Sequence, residues 1–203
     1  AVLSGPSFAE EVGHGAPTAV VGAADDNDVA LLVQETFASP TFRVYTSTDV
    51  VGVQLGGALK NVMAVAAGML QGLDLGYNTR AAMITRGLAE ITRLGEAMGA
   101  DARTFAGLAG VGDLLLTTTG SLSRNRQLGE FVGKGGTLAQ WKETHRTVAE
   151  GADTALTAVE LGQRHGVELP LCQQVHDILY NGKDPRAALV DLMRRSQKME
   201  VWK

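Results

Sequence analysis

One lysine and one asparagine, Lys60 and Asn61, interrupt the segment GVQLGGALKNVMAVAAGML (residues 52–70), which is otherwise almost wholly apolar or small. An ammonium inside such a segment is costly unless it is paired. A paired and partly desolvated lysine is a proton donor or acceptor. A lysine at a helix end would instead snorkel its charge to water along apolar surface. Lys60 lies mid-segment, flanked by Gly56, Gly57 and Asn61, and this favours the chemical reading.

A second stretch is LAGVGDLLLTTTGSLSRNR, residues 108–126. Asp113 stands alone among apolar neighbours, with Thr117 one helical turn on. It reads either as an N-cap after the glycines or as a carboxylate that orients a lysine. Ser123, Arg124 and Asn125 follow a Gly-Ser loop and precede a helix. Hydroxyl, guanidinium, amide and free backbone N–H groups together suit a phosphate. Arg126 reads as solvated. A third stretch, SGPSF (residues 4–8), is a tight turn after a strand, where α/β folds bind ligands. In a fourth, VAEGADT (residues 148–154), Glu150 is either a helix-start acid or a ligand group.

The elements that must position these residues are legible in outline. AVL, PTAVVGAA and FRVYTS are β-branched runs between turn residues. SFAEEVGHG reads as a short helix, and DNDVALLVQETFAS as an amphipathic helix begun by an Asp. Three short strands look like the edge of a sheet whose other strands are missing, so the chain reads as the back portion of a longer protein. From Asp49 onward no strand signal recurs.

The helix around Lys60 has a large apolar face (Leu55, Leu59, Val62, Met63, Ala66, Leu70). Its other face is small (Gly56, Gly57, Lys60, Ala64, Ala67, Gly68), and there a backbone or a ligand can approach closely. The next helix spans Asn78 to Gly99, with Ile84, Leu88, Ile91, Leu94 and Met98 inward and Arg86, Glu90 and Arg93 outward. Shorter helices follow near 102–108, 111–118, 124–133, 137–142, 151–165, 171–180 and 185–196. Pro170 and Pro185 suit helix starts, and Gly166 and Gly182 suit helix stops. The fold class is mainly α, a helical domain behind a small β/α remnant.

Composition narrows the function. The 203 residues carry a net charge of −4, which argues against a generic nucleic-acid partner. The single cysteine, Cys172, rules out an internal disulfide and fits a reducing compartment. His14, His145, His165 and His176 lie far apart, and no metal site is expected. The apolar run near Lys60 reads as too short to span a bilayer, so no membrane insertion is expected.

Taken together, LSGPSFAEEV, GGALKN, NTRAAMITRGLAEITRLG, GVGDLLLT, SRNRQLG and VAEGADT resemble the bacterial-type NAD(P)-dependent glycerol-3-phosphate dehydrogenases, in order and through essentially the whole chain. The resemblance implies that residues 1–48 end a nucleotide-binding Rossmann domain. It implies that residues 49–203 form a helical substrate-binding and catalytic domain of the 6-phosphogluconate dehydrogenase C-terminal type. It implies NAD or NADP as cofactor, a cytoplasmic location, a role in supplying phospholipid synthesis and a homodimer. The expected reaction interconverts sn-glycerol 3-phosphate and dihydroxyacetone phosphate. The family's GxGxxG phosphate loop is not in this chain, and GGALKN, inside a helix, is no substitute.

Carried over by position, Lys60 matches the family's catalytic lysine. Gly5, Ser7, Asn61, Asp113, Ser123, Arg124 and Asn125 match substrate-binding positions. Ala9, Arg124, Val148 and Glu150 match cofactor-binding ones. The small face around Lys60 is expected to make room for a three-carbon substrate. Two other readings compete: a related dehydrogenase of hydroxy acids, and a helical dimerisation module without chemistry. The SRNR block separates the first of these from the leading one.

Overall fold

The computed structural model describes residues 1–145, 148–197 and 199–200. Strands β1 (Val2–Ser4), β2 (Thr18–Ala23) and β3 (Phe42–Ser47) form a sheet in the order β1-β2-β3. β1 runs antiparallel to β2, with Val2 opposite Ala23, and β2 runs parallel to β3, with Thr18 opposite Phe42. The parallel pair needs a crossover, and helix α2 (Asn27–Phe37) supplies it. Asp26 caps α2 through the backbone N–H groups of Asp28 and Val29, and the Gln34 side chain donates to the Val44 carbonyl at 2.6 Å. A short helix α1 (Ala9–Gly13) follows β1. These elements match the sequence expectation, and beyond β3 the described residues contain no further strand.

The helical part is built on α3 (Val50–Gly72). The Asp49 side chain starts it by accepting from the Gly52 N–H at 2.8 Å. The same carboxylate accepts from the Asp101 N–H and the Thr104 hydroxyl, which docks α5 (Ala102–Phe105) against the start of α3. Almost every residue of α3 from Gly52 to Leu70 is buried. A helix buried over most of its surface is a central one; the small face is covered from Ala64 to Gly68, whereas Gly57 and Lys60 are only partly buried. At 23 residues α3 is long and apolar enough to cross a membrane, contrary to the expectation of a run too short. Its place in this fold is the core. Against it lie α4 (Tyr77–Ala97), α6 (Asp113–Thr119), α7 (Arg124–Gly133), α9 (Glu150–His165) and α10 (Pro170–Asn181). Helices α8 (Leu138–Thr144) and α11 (Pro185–Arg194) lie further out.

Helices α3 and α7 meet through main chain. Gly68 and Gly72 on α3 face Gly129 and Gly133 on α7, two GxxxG spacings. A Cβ at Gly68 would lie 1.9 Å from the Arg126 carbonyl oxygen, and one at Gly129 would lie 1.9 Å from that of Val65. Only glycine allows two helix backbones so near.

One expectation about α4 fails. Glu90 was expected to face out, beside Arg86 and Arg93. It is 3% exposed. Its two carboxylate oxygens accept the N–H groups of Leu171 at 2.8 Å and Cys172 at 3.3 Å. Helix α10 has no side-chain cap of its own, so α4 supplies it from outside, satisfying two N–H groups that a helix start leaves open. Burial pushes the Glu90 carboxyl up to about 7, against the pull of those two N–H groups and of Arg93 and Arg195.

Candidate active site

Lys60 projects from the middle of α3, and its ammonium donates to Oδ2 of Asp113. The elements explain how Asp113 reaches it. A π-helical turn, Leu108–Gly112, precedes α6, with the Gly112 N–H bonded five residues back to the Gly107 carbonyl at 3.1 Å. Such wide turns recur at functional sites. The turn seats on the small face of α3, where a Cβ at Gly56 would lie 2.2 Å from the Ala109 carbonyl oxygen. Asp113 is therefore delivered directly across from Lys60. Its carboxylate makes no helix-cap bond, so of the two sequence readings the lysine-orienting one describes the geometry.

Asp113 is almost fully buried and has further partners. The Thr117 hydroxyl donates to its other oxygen, Oδ1, at 3.3 Å, and the Gly5 N–H also reaches the carboxylate. Burial raises the Asp113 carboxyl above its ordinary value; the Lys60 ammonium, the Thr117 hydroxyl and the Gly5 N–H pull the other way. Gly5 comes from the turn after β1, so the three-stranded sheet and the helical part meet at this carboxylate. The Ser7 hydroxyl, on the same turn, donates to the Gly5 carbonyl at 3.0 Å and is exposed.

A second group adjoins the first along α3. Asn61 is buried, and its Nδ2 donates to Glu150 Oε2 at 3.5 Å. Asn125, near the start of α7, accepts the Gly151 N–H on its Oδ1 at 2.8 Å. A Cβ at Gly151 would lie 2.5 Å from the Asn61 carbonyl oxygen and 3.0 Å from Asn125 Oδ1. The start of α9 is thus wedged between Asn61 and Asn125, a contact that sequence reasoning missed. Its one local signal is the glycine directly after Glu150.

The remaining candidates are exposed, apart from Ser123, which is buried. Ser123 caps α7, its hydroxyl oxygen accepting from the Arg126 N–H at 3.3 Å. Arg124 is exposed and, among the described residues, its guanidinium makes no ion pair. Ala9, Val148 and Glu150 are exposed. The structure brings Gly5, Asp113 and Lys60 together in one group and Asn61 and Glu150 in another, with Asn125 bonded to Gly151 beside Glu150. Ser7 joins the first group through its bond to the Gly5 carbonyl, and Ala9, Ser123, Arg124 and Val148 are linked to these residues only along the chain.

Two expectations need correction. The small face around Lys60 was expected to leave room for a substrate. Protein fills much of it, with the Ala109 carbonyl at Gly56 and the Ser4 hydroxyl 2.7 Å from a Cβ at Gly57. What stays open is the Lys60 end, where the lysine side chain is 20% exposed against 2% for Asp113. Arg126 was expected to be solvated, and it is buried. Its Nε donates to the Gly120 carbonyl at 2.9 Å and its Nη1 to Gln71 Oε1.

The described residues hold no cluster of three His, Cys, Asp or Glu that could bind a metal ion. A broad apolar cleft between α4, α10 and α11, lined by Met83, Leu171, Val175, Ile178 and Leu192, includes none of the candidate residues.

Comparison with known proteins gives a consistent picture. Residues 49–190 match the family model described as NAD-dependent glycerol-3-phosphate dehydrogenase C-terminus. The glycerol-3-phosphate dehydrogenase (NAD(P)+) of Geobacter sulfurreducens is 59% identical over 201 residues, 99% of this chain and 60% of that protein. That of Myxococcus xanthus is 56% identical, with the same coverage of 99% and 60%. Among solved structures, the glycerol-3-phosphate dehydrogenase of Coxiella burnetii superposes with a TM-score of 0.92 at 42% identity, over 96% of this chain and 60% of its own. The Saccharomyces cerevisiae enzyme superposes with a TM-score of 0.83 at 28% identity, over 95% and 59%. This chain spans about 60% of the length of the relatives it matches.

Proposed function

Because the chain belongs to the NAD-dependent glycerol-3-phosphate dehydrogenase family, matching its C-terminal part, we propose that it carries the substrate-binding and acid–base half of such an enzyme. The reaction is the NAD(P)-dependent interconversion of sn-glycerol 3-phosphate and dihydroxyacetone phosphate. The observation that carries this reading is the Lys60–Asp113 pair, dry at the carboxylate and open at the lysine. In this reading residues 1–48 complete a nucleotide-binding domain and residues 49–203 form the catalytic one. A homodimer in the cytoplasm, serving phospholipid synthesis, follows from the same membership.

Reduction of a ketone leaves negative charge on its oxygen. Protonated Lys60 beside that oxygen stabilises the charge and gives up a proton. In the oxidation direction the neutral amine takes the hydroxyl proton. Asp113, itself held by Thr117 and Gly5, keeps the ammonium on station. Arg124 and Asn125, with Ser123 at the helix start, would bind the phosphate and align the carbonyl. Asn61, Gly5 and Ser7 would border the carbon chain. When bound, NAD or NADP supplies or takes up the hydride. The residues fit such a group: Val148 offers exposed apolar surface (62%), Glu150 two residues on is exposed, and Ala9 and Arg124 are exposed too.

Two measurements test the reading. Calorimetry of the 203-residue chain should detect glycerol 3-phosphate but not glycerol. In the full-length protein, Arg124→Ala should raise the KM for dihydroxyacetone phosphate at least tenfold, since a charge-assisted bond is worth roughly 1.5–3 kcal/mol. Equal effects on unphosphorylated dihydroxyacetone would make Arg124 structural or cofactor-facing. A chain that binds no phosphorylated triol would favour the dimerisation-module reading.

A further inference from the structure

Resting on that reading, we propose that Arg126 is a positioning residue: it fixes the Gly120–Ser123 turn, and with it the Arg124 guanidinium, relative to the Lys60–Asp113 pair. Arg126 is 9% exposed, and a guanidinium offers five N–H donors that burial obliges it to use. Nε donates to the Gly120 carbonyl at 2.9 Å. Nη1 donates to Gln71 Oε1 and lies 3.7 Å from Glu130 Oε2.

These acceptors belong to three separate pieces of the fold. Gly120 closes α6, its N–H bonded to the Leu116 carbonyl at 2.8 Å. That helix begins at Asp113. Gln71 lies in the last turn of α3, the helix of Lys60. Glu130 lies one turn along α7 itself. The backbone N–H of Arg126 is meanwhile held by the Ser123 hydroxyl. One side chain therefore ties the far ends of both helices of the proton-transfer pair to the turn that presents Arg124.

Other contacts confine the same turn. A Cβ at Gly120 would lie 2.5 Å from the Phe8 ring, so the loop after β1 borders it. The Gln127 side chain donates to the Ser121 carbonyl at 3.0 Å. Arg126 spends Nε and Nη1 inside the fold, so in this proposal it acts on a bound anion through Arg124 and not by touching it. Lysine is a poor replacement, because one ammonium cannot reproduce the planar fork that serves Gly120 and Gln71 together.

The test compares wild type, Arg126→Lys and Gln71→Leu in the full-length protein. Steady-state kinetics would use dihydroxyacetone phosphate and unphosphorylated dihydroxyacetone, with thermal unfolding alongside. A folded Arg126→Lys should raise the KM for dihydroxyacetone phosphate about tenfold or more while kcat changes far less, since misplacement of about 1 Å can cost up to 10²-fold. Gln71→Leu should shift KM in the same direction by a smaller factor. The kcat/KM for dihydroxyacetone should hardly move. A folded Arg126→Lys with unchanged KM, or with equal loss on both substrates, overturns the proposal. Should that variant not fold, Gln71→Leu decides by the same readout. If the wild type reduces neither substrate, the dehydrogenase reading fails. Calorimetry with inorganic phosphate then decides this one, with weaker binding by Arg126→Lys upholding it and equal affinity ending it.

Discussion

Lys60 and Asp113 are bonded directly across 53 residues of chain, and the two ends of that bond see different surroundings. The lysine side chain is 20% exposed and the aspartate 2%. The lysine end of the bond is therefore reachable from outside, while the carboxylate is enclosed.

Lys60→Ala in the full-length protein should lower kcat by about 10²–10⁴-fold, the range for a positioned acid–base group. The fold should survive, because Ala favours the helix and removes a charge from the interior. Lys60→Arg should not restore the rate, since guanidinium keeps its proton near neutrality. Steady-state kinetics with circular dichroism checks both variants. A folded Lys60→Ala retaining most of its kcat would make Lys60 an ordinary snorkelling lysine.

Asp113→Asn keeps the shape and leaves the ammonium without its counter-charge. Stability should fall by about 1–3 kcal/mol, the cost of losing a charged partner in a buried hydrogen bond. The rate should fall together with it, because the amine loses its fixed position. Urea unfolding and kinetics on one preparation test this. Unchanged midpoints would mean that Thr117 and the Gly5 N–H hold this corner by themselves.

At Gly129 the helix propensity and the packing argue in opposite directions. Alanine would gain about 1 kcal/mol on an open helix. Here its Cβ would lie 1.9 Å from the Val65 carbonyl oxygen, so α3 and α7 must part. Gly129→Ala should cost about 2 kcal/mol or more, the penalty of overpacking. Gly13→Ala, where a Cβ meets nothing within 4 Å, is the control and should be neutral or mildly stabilising. Thermal melts that rank the two variants the other way would refute the close main-chain contact.

Glu90 makes stability depend on pH. Its carboxyl is raised from 4.5 to about 7 in the folded protein, so the folded state holds a proton that the unfolded chain releases. The resulting stabilisation, about 3 kcal/mol, is fully present below pH 4.5 and is lost as pH rises through 7. Glu90→Gln lacks this titration. The stability of wild type relative to Glu90→Gln should therefore fall between pH 4.5 and 8. Melting curves across that range check it; a constant difference would show that Arg93, Arg195 and the two N–H groups already cancel the effect of burial.

Local chemistry made the elements readable. Asp26, Pro170 and Pro185 announce helix starts that the structure has, and Gly166 and Gly182 announce the stops. Lys60 was visible because a lone cation on a small-residue stripe has few explanations. Glu90 was not, because its spacing from Arg86 copies that of a surface ion pair. Its burial depends on where α10 begins, some eighty residues later. Arg126 misleads in the same way: Glu130 one turn on suggests a solvated pair, whereas Gln71 and Gly120 lie in other elements. The π-helical turn before Asp113 was hidden because glycines there also fit an ordinary helix start. In each case the missing information was the identity of a distant partner.

The glycine contacts between α3 and α7 have a consequence for how such a protein can drift in sequence. Side chains have rotamers and can be exchanged, so a gap filled by them widens or narrows as residues change. The gap between these two helices is bridged carbonyl oxygen to glycine Cα, and it offers substitution nothing to adjust. The spacing between the helix of Lys60 and the helix that starts at Arg124 is therefore a gauge block cut in main chain. The surrounding apolar residues can be traded for others of similar volume while the separation of the two helices keeps its calibration.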